Sequence, residues 1–83
     1  MKIYKYNGKC NASGERIRVK REQMEFSQEQ LAAQLQLQGL NLSQKTISRI
    51  ETGDRIVADF ELIVFSSILQ TTADELLGVE KKR

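Results

Sequence analysis

Gln44, Lys45, Ser48 and Arg49 stand between Leu42 and Ile50, and each can bond to nucleic acid. Glutamine pairs bidentately with adenine, lysine and arginine reach guanine, and serine suits bases or phosphates alike. Ile47 and Ile50 are three apart and share a helix face, which leaves those four side chains the opposite one. Ser43 is placed to cap a helix N-terminus, and Gly53 can take the left-handed conformation that ends one. Residues 43–53, SQKTISRIETG, therefore read as a short helix with one apolar side and one side fit to read duplex DNA. A merely solvated helix face has similar composition. The elements that must position this helix separate the two readings.

Residues 27–38, SQEQLAAQLQLQ, form the nearest of them. Ser27 as N-cap and Gln30 at the third helical position make a capping box. Leu31, Ala32 and Leu35 recur at helical spacing and face inward, and the small Ala32 permits close helix approach. Gly39 stops this helix, and Leu40, Asn41 and Leu42 lead to Ser43. Before it, residues 14–24 make a first helix with Ser13 as N-cap, Glu15 in its first turn, Ile17 and Met24 on one side, and Arg18 and Arg21 three apart on the same helix. Two helices joined through a glycine-containing connection, the second opening with Gln and Lys, follow helix-turn-helix order.

After Gly53, Asp54 and Arg55 form an exposed loop within reach of a phosphate backbone, and Ile56 and Val57 return to the core. A fourth helix over 59–69 puts Leu62, Phe65 and Leu69 on one stripe, widened by Phe60, Ile63 and Ile68, so it is expected to be mostly buried. Thr72 caps a last short helix, ADELLGV, with Asp74 and Glu75 in its first turn. Leu76 closes the core, and Leu77 or Val79 is left for a subunit contact. Residues 1–12 read either as a flexible basic arm or as a short extended segment packed on the body. Residues 80–83 are a charged tail.

Composition narrows the classes. The 83 residues suffice for one small core, giving a single domain over 13–79. With 40% apolar and 29% charged residues the chain is a folded globular one. It has no apolar run long enough for a membrane span and no signal peptide, which points to a cytoplasmic protein. A lone Cys10 and no histidine leave no internal disulfide and no zinc ligand set. No catalytic constellation, Gly-rich phosphate loop or effector-binding segment is evident, so a non-enzyme without metal, cofactor or small-molecule ligand is expected. Net charge is only +2, yet residues 1–26 hold seven Lys or Arg against three Glu, and the rest hold six against eight acids. The basic excess sits at the front.

Over residues 14–77 the chain resembles the Cro and phage-repressor type of helix-turn-helix domain, the xenobiotic-response-element regulators. The resemblance is carried in order by GERIRVKRE, SQEQLA, SQKTISRIETGDR and ELL. It implies an all-α, five-helix bundle of the lambda-repressor-like type. It further implies Gln44, Lys45 and Arg49 as base contacts, and Gln28 as a phosphate contact that braces the recognition helix. Ser43, Thr46 and Ser48 would touch backbone or groove wall, and the loop with Arg55 would approach phosphates. Arg21 and Glu51 match an ion pair tying the first helix to the end of the recognition helix; the alternatives are a phosphate contact for Arg21 and an exposed charge for Glu51. Two departures stand out. The connection between Leu35 and Ser43 is longer than the compact pattern, so helix two is expected to run through Leu37 with a wider turn after Gly39. Lys20 stands where an apolar residue is usual, its space left to Val19 or to its own stem.

The expected function is sequence-specific binding of double-stranded DNA by a transcriptional regulator, a repressor. A weak homodimer on a near-palindromic site is expected, joined around Leu77 and Val79 with Leu40 and Leu42. The competing class is a protein-interaction module, an antitoxin or adaptor built on the same bundle.

Overall fold

The computed structural model describes residues 4–79, so the charged tail at 80–83 lies outside the described residues. Five helices follow one another: α1 (Gly14–Gln23), α2 (Gln28–Leu37), α3 (Gln44–Thr52), α4 (Asp59–Ile68) and α5 (Ala73–Leu77). Their starts follow the caps. Ser27 and Gln30 close the capping box at α2, Ser43 accepts from the Thr46 N–H at α3, and Thr72 accepts from the Glu75 N–H at α5. At α1 the expectation fails, because the Ser13 hydroxyl makes no capping bond. Asn11 does that work from further out, its Oδ1 accepting from Gly14 N at 2.8 Å.

Helix α2 runs through Leu37 and ends at Gly39, whose φ is 84°. The following turn is wide but not loose. Leu40 N–H returns to the Leu35 carbonyl, and Leu42 is buried. Gly53 ends α3 at φ 87°, with Asp54 N–H bonded to the Arg49 carbonyl, a geometry that costs other residues about 1–2 kcal/mol. Glu25 and Gln70 end α1 and α4 in the same left-handed region without being glycine.

Ile17, Leu31, Ala32, Leu35, Leu42, Ile47, Ile50, Phe65, Leu69 and Leu76 form one core, with one or more from every helix. Helix α3 is wedged against α1 and α2, while α5 packs on α1 and α4. Two expectations about apolar positions are overturned. Phe60 and Ile63, meant to widen the buried side of α4, are 61% and 65% exposed, because the core takes only the Phe65 and Leu69 side and half-buries Leu62, Val64 and Ile68. Ile56 stays outside while Val57 packs inward. Of the two groups expected to fill the space at Lys20, Val19 is exposed, whereas Lys20 is itself half-buried and pairs with Glu75 of α5 at 3.5 Å.

Candidate nucleic-acid interface

Recognition by a helix requires that one side be immobilised so that the other is presented in fixed register. In α3 the immobile side is complete: Ile47 and Ile50 are fully buried and Glu51 nearly so. The outward side carries Gln44, Lys45 and Arg49 exposed, with Thr46 and Ser48 half-buried at its margins. Ser43 Oγ lies 3.0 Å from Thr46 Oγ1, so these two hydroxyls form one polar pair at the helix start.

Glu51 anchors a chain of side-chain hydrogen bonds across three helices. Arg21 of α1 meets it as a fork, Nε donating to Oε2 at 2.7 Å and Nη2 to Oε1 at 3.0 Å. A third bond from Arg21 Nη1 reaches the Phe26 carbonyl, tying the end of α1 into the same unit. Gln28 Nε2 donates to Glu51 Oε1 at 3.0 Å, and Gln28 Oε1 accepts from Gln44 Nε2 at 2.6 Å. The structure thus brings Arg21, Gln28, Gln44 and Glu51 together. The Glu51 hydrogen bond raises the Arg21 pKa above its ordinary value, against the opposing effect of burial. Gln44 gives one amide hydrogen to Gln28. Its Oε1 and second amide hydrogen remain, the acceptor and donor that an adenine edge requires.

Arg55 is set to a different task from the phosphate contact expected of it. Its Nη1 and Nη2 donate to Oε1 and Oε2 of Glu61 at 2.9 and 3.1 Å, and Nη1 also reaches the Ile56 carbonyl. Glu61 in turn accepts from the Ala58 N–H at 2.9 Å, so this pair fixes the entry to α4. A cation so paired is a poor phosphate ligand. Nothing in the sequence spacing of Arg55 and Glu61 singles the pair out, because it is neither i,i+3 nor i,i+4 on one helix.

The pair sets a pH dependence. Burial alone pushes the Glu61 carboxyl up, but hydrogen bonds from Arg55 and Ala58 and the Arg55 charge outweigh it, holding the pKa below the ordinary carboxylate value. The folded state then binds fewer protons than the unfolded one. Its stabilisation is full above the unfolded carboxylate range, about pH 4–5, and is lost as pH falls through the lower folded value. Glu61→Gln is therefore expected to destabilise the domain at neutral pH, with the difference from the native chain shrinking below about pH 4. Urea midpoints measured across pH check this. Parallel curves for the two proteins would contradict it.

The ion pairs also sort the cations. Among the described residues, Arg18 pairs with Glu22, Lys20 with Glu75, Arg21 with Glu51 and Arg55 with Glu61. Lys45 and Arg49 make no salt bridge there. Neither do Lys5, Lys9 and Arg16. The described residues bring together no cluster of three His, Cys, Asp or Glu side chains suited to hold a metal.

A family model described as helix-turn-helix matches residues 17–76, well over half of the chain. The chain belongs to the Cro/C1-type helix-turn-helix family. Comparisons with curated proteins and with solved structures gave no match. The matched span takes in the whole of α2 and α3, and members of the family are DNA-binding transcription regulators, which is the function of the domain at family level. Residues 4–16 lie before the matched span. No helix among the described residues is long and apolar enough to cross a membrane.

Proposed function

We propose that this helix-turn-helix domain binds a specific duplex sequence through α3 and, by occupying it, represses transcription without catalysing a reaction. Gln44, Lys45 and Arg49 read base edges in the major groove. Gln28, Ser43, Thr46 and Ser48 meet the flanking backbone. The observation that carries the reading is the contrast within α3: one side locked by Ile47, Ile50 and Glu51, the other exposing Lys45 and Arg49 with no carboxylate partner among the described residues. A module that uses this face to hold a protein would be expected to present apolar side chains there. Titration of a labelled duplex at several salt concentrations tests it, since binding through phosphates falls steeply with salt.

One reading helix covers too few base pairs to single out a site among ~10⁶ or more competitors, so two copies are proposed to act together on a near-palindromic site, their α3 helices about 34–36 Å apart. The surface foreseen for that contact changes. Leu42 is in the core and Leu40 packs against it, which removes both. Leu77 and Val79 are exposed, but the larger apolar face is Phe60 and Ile63, one turn apart on α4, with exposed Ile56 leading into it. A second copy of the chain is the proposed occupant, because a near-palindromic site demands a two-fold partner and Phe60 and Ile63 put two large apolar side chains side by side on one exposed helix face. Phe60 and Ile63 offer roughly 250 Å² of apolar surface, far below the ~800 Å² per partner of a stable complex. The dimer is accordingly weak and assembles on DNA. Phe60→Asp with Ile63→Asp is expected to abolish cooperative binding to a palindromic duplex while leaving half-site binding and the helical fold intact. Sedimentation with and without the palindrome reads this, and a one-to-one complex of the native chain on such a site would overturn it.

A further inference from the structure

The segment ahead of α1 is docked, so the domain boundary expected at residue 13 falls inside packed structure. Tyr6 and Lys9 exchange both backbone hydrogen bonds, at 2.7 and 3.0 Å, across a two-residue turn in which Asn7 and Gly8 have φ of 50° and 77°. An Asn-Gly pair is the preferred sequence for such a turn, because both positions require positive φ. From the turn the chain runs onto the C-terminal end of α3, where helix carbonyls lack partners. Cys10 N–H donates to the Gly53 carbonyl at 2.7 Å. Asn11 Nδ2 donates to the carbonyls of Ile50 and Arg55, at 3.0 and 2.7 Å, while its Oδ1 holds the start of α1. The stem of Lys9 lies across Gly53 so closely that a Cβ there would come within 2.7–2.9 Å of it.

We propose that this tight turn is a second DNA-contacting element, a clasp that seats Lys9, with Lys5 just ahead of the turn, against backbone phosphates at the C-terminal end of the recognition helix. The nine residues of α3 span about 13.5 Å, and the major groove is about 12 Å wide. With Gln44 and Lys45 in the groove, the far end of the helix lies near a phosphate wall. The charges around Lys9 leave it available. Glu51 is engaged by Arg21 and Gln28, Asp54 accepts from the Thr52 hydroxyl, and Glu15, exposed across the shallow cleft from Lys9, makes no salt bridge with it. Neither Lys5 nor Lys9 has a carboxylate partner among the described residues, in contrast to Arg18, Lys20, Arg21 and Arg55. A lysine at a helix C-terminus also complements the helix dipole. Asn11 is the positioning residue, since its side chain bonds to the start of α1, the end of α3 and the loop beyond.

This inference rests on the DNA-binding reading of α3, and its test separates the two. Affinity of the full chain for a duplex is measured against salt for the native protein and for Lys9→Gln, which keeps most of the stem over Gly53 and loses the charge. The slope of log affinity on log salt is expected to shrink by about one for Lys9→Gln and about two when Lys5→Gln is added, equally on selected and random duplexes. Lys9→Arg should restore the native slope. Lys20→Gln, which removes a cation already paired with Glu75, should leave the slope unchanged, and thermal unfolding should show Lys9→Gln folded. A native slope retained by the folded double variant overturns the clasp while leaving the α3 reading in place. No salt-dependent binding by the native chain overturns both.

Discussion

Glu51→Ala is expected to destabilise the domain by ~3–5 kcal/mol, the cost of leaving a buried, hydrogen-bonded charge without its partner. The Arg21 and Glu51 side chains are only 11% and 3% exposed. Such a loss approaches the whole stability of many domains of this size, about 0.05–0.15 kcal/mol per residue. Glu51→Gln is the milder probe, because the amide still accepts one bond while the ion pair is gone. Replacing both Arg21 and Glu51 by apolar residues of similar volume should recover much of the loss, since the uncompensated charge is then absent. The double variant should nonetheless bind DNA poorly, because Gln28 loses the acceptor that orients it under Gln44. Urea unfolding gives the stabilities. A cost below ~1 kcal/mol for Glu51→Ala would mean that the pair behaves as an exposed one.

The second large effect concerns discrimination rather than folding. Arg49→Ala and Lys45→Ala are each expected to lower the preference for the selected duplex over random duplex by ~1–3 kcal/mol, roughly 5- to 150-fold. Loss of a phosphate contact would instead weaken all duplexes alike. Arg55→Ala belongs to neither group: its guanidinium is held by Glu61, so it should lower stability and leave the preference nearly unchanged. Parallel measurement of stability and of the selected-to-random ratio places each variant. An Arg49→Ala protein with an unchanged ratio would remove Arg49 from the reading face.

Most of the frame that positions α3 is legible in the sequence, because it is written in local signals. Ser27 with Gln30, Ser43 with Gly53, and Thr72 are each interpretable within one helical turn, and the structure uses all of them as caps. What escapes sequence reading depends on distant partners. Helix α4 is apolar on nearly every side, so periodicity cannot tell that Phe60 and Ile63 face outward while Phe65 faces in. The bond between Asn11 and Ile50 joins residues 39 apart, and no local pattern marks Asn11 as more than a turn residue. The Asn7-Gly8 pair is a local signal for the turn. It is easily passed over because the segments on either side of it are too short to show alternation.

The central claim is that the outward side of α3 reads base sequence. Duplexes selected from a random pool give the reference site, and competition between that site and random duplex at fixed salt gives the most direct measurement. The native chain is expected to prefer the selected site by at least ~10³-fold, with most of that preference lost when Lys45 and Arg49 are both replaced by alanine. Equal affinity of the native chain for selected and random duplexes at every salt concentration would contradict it.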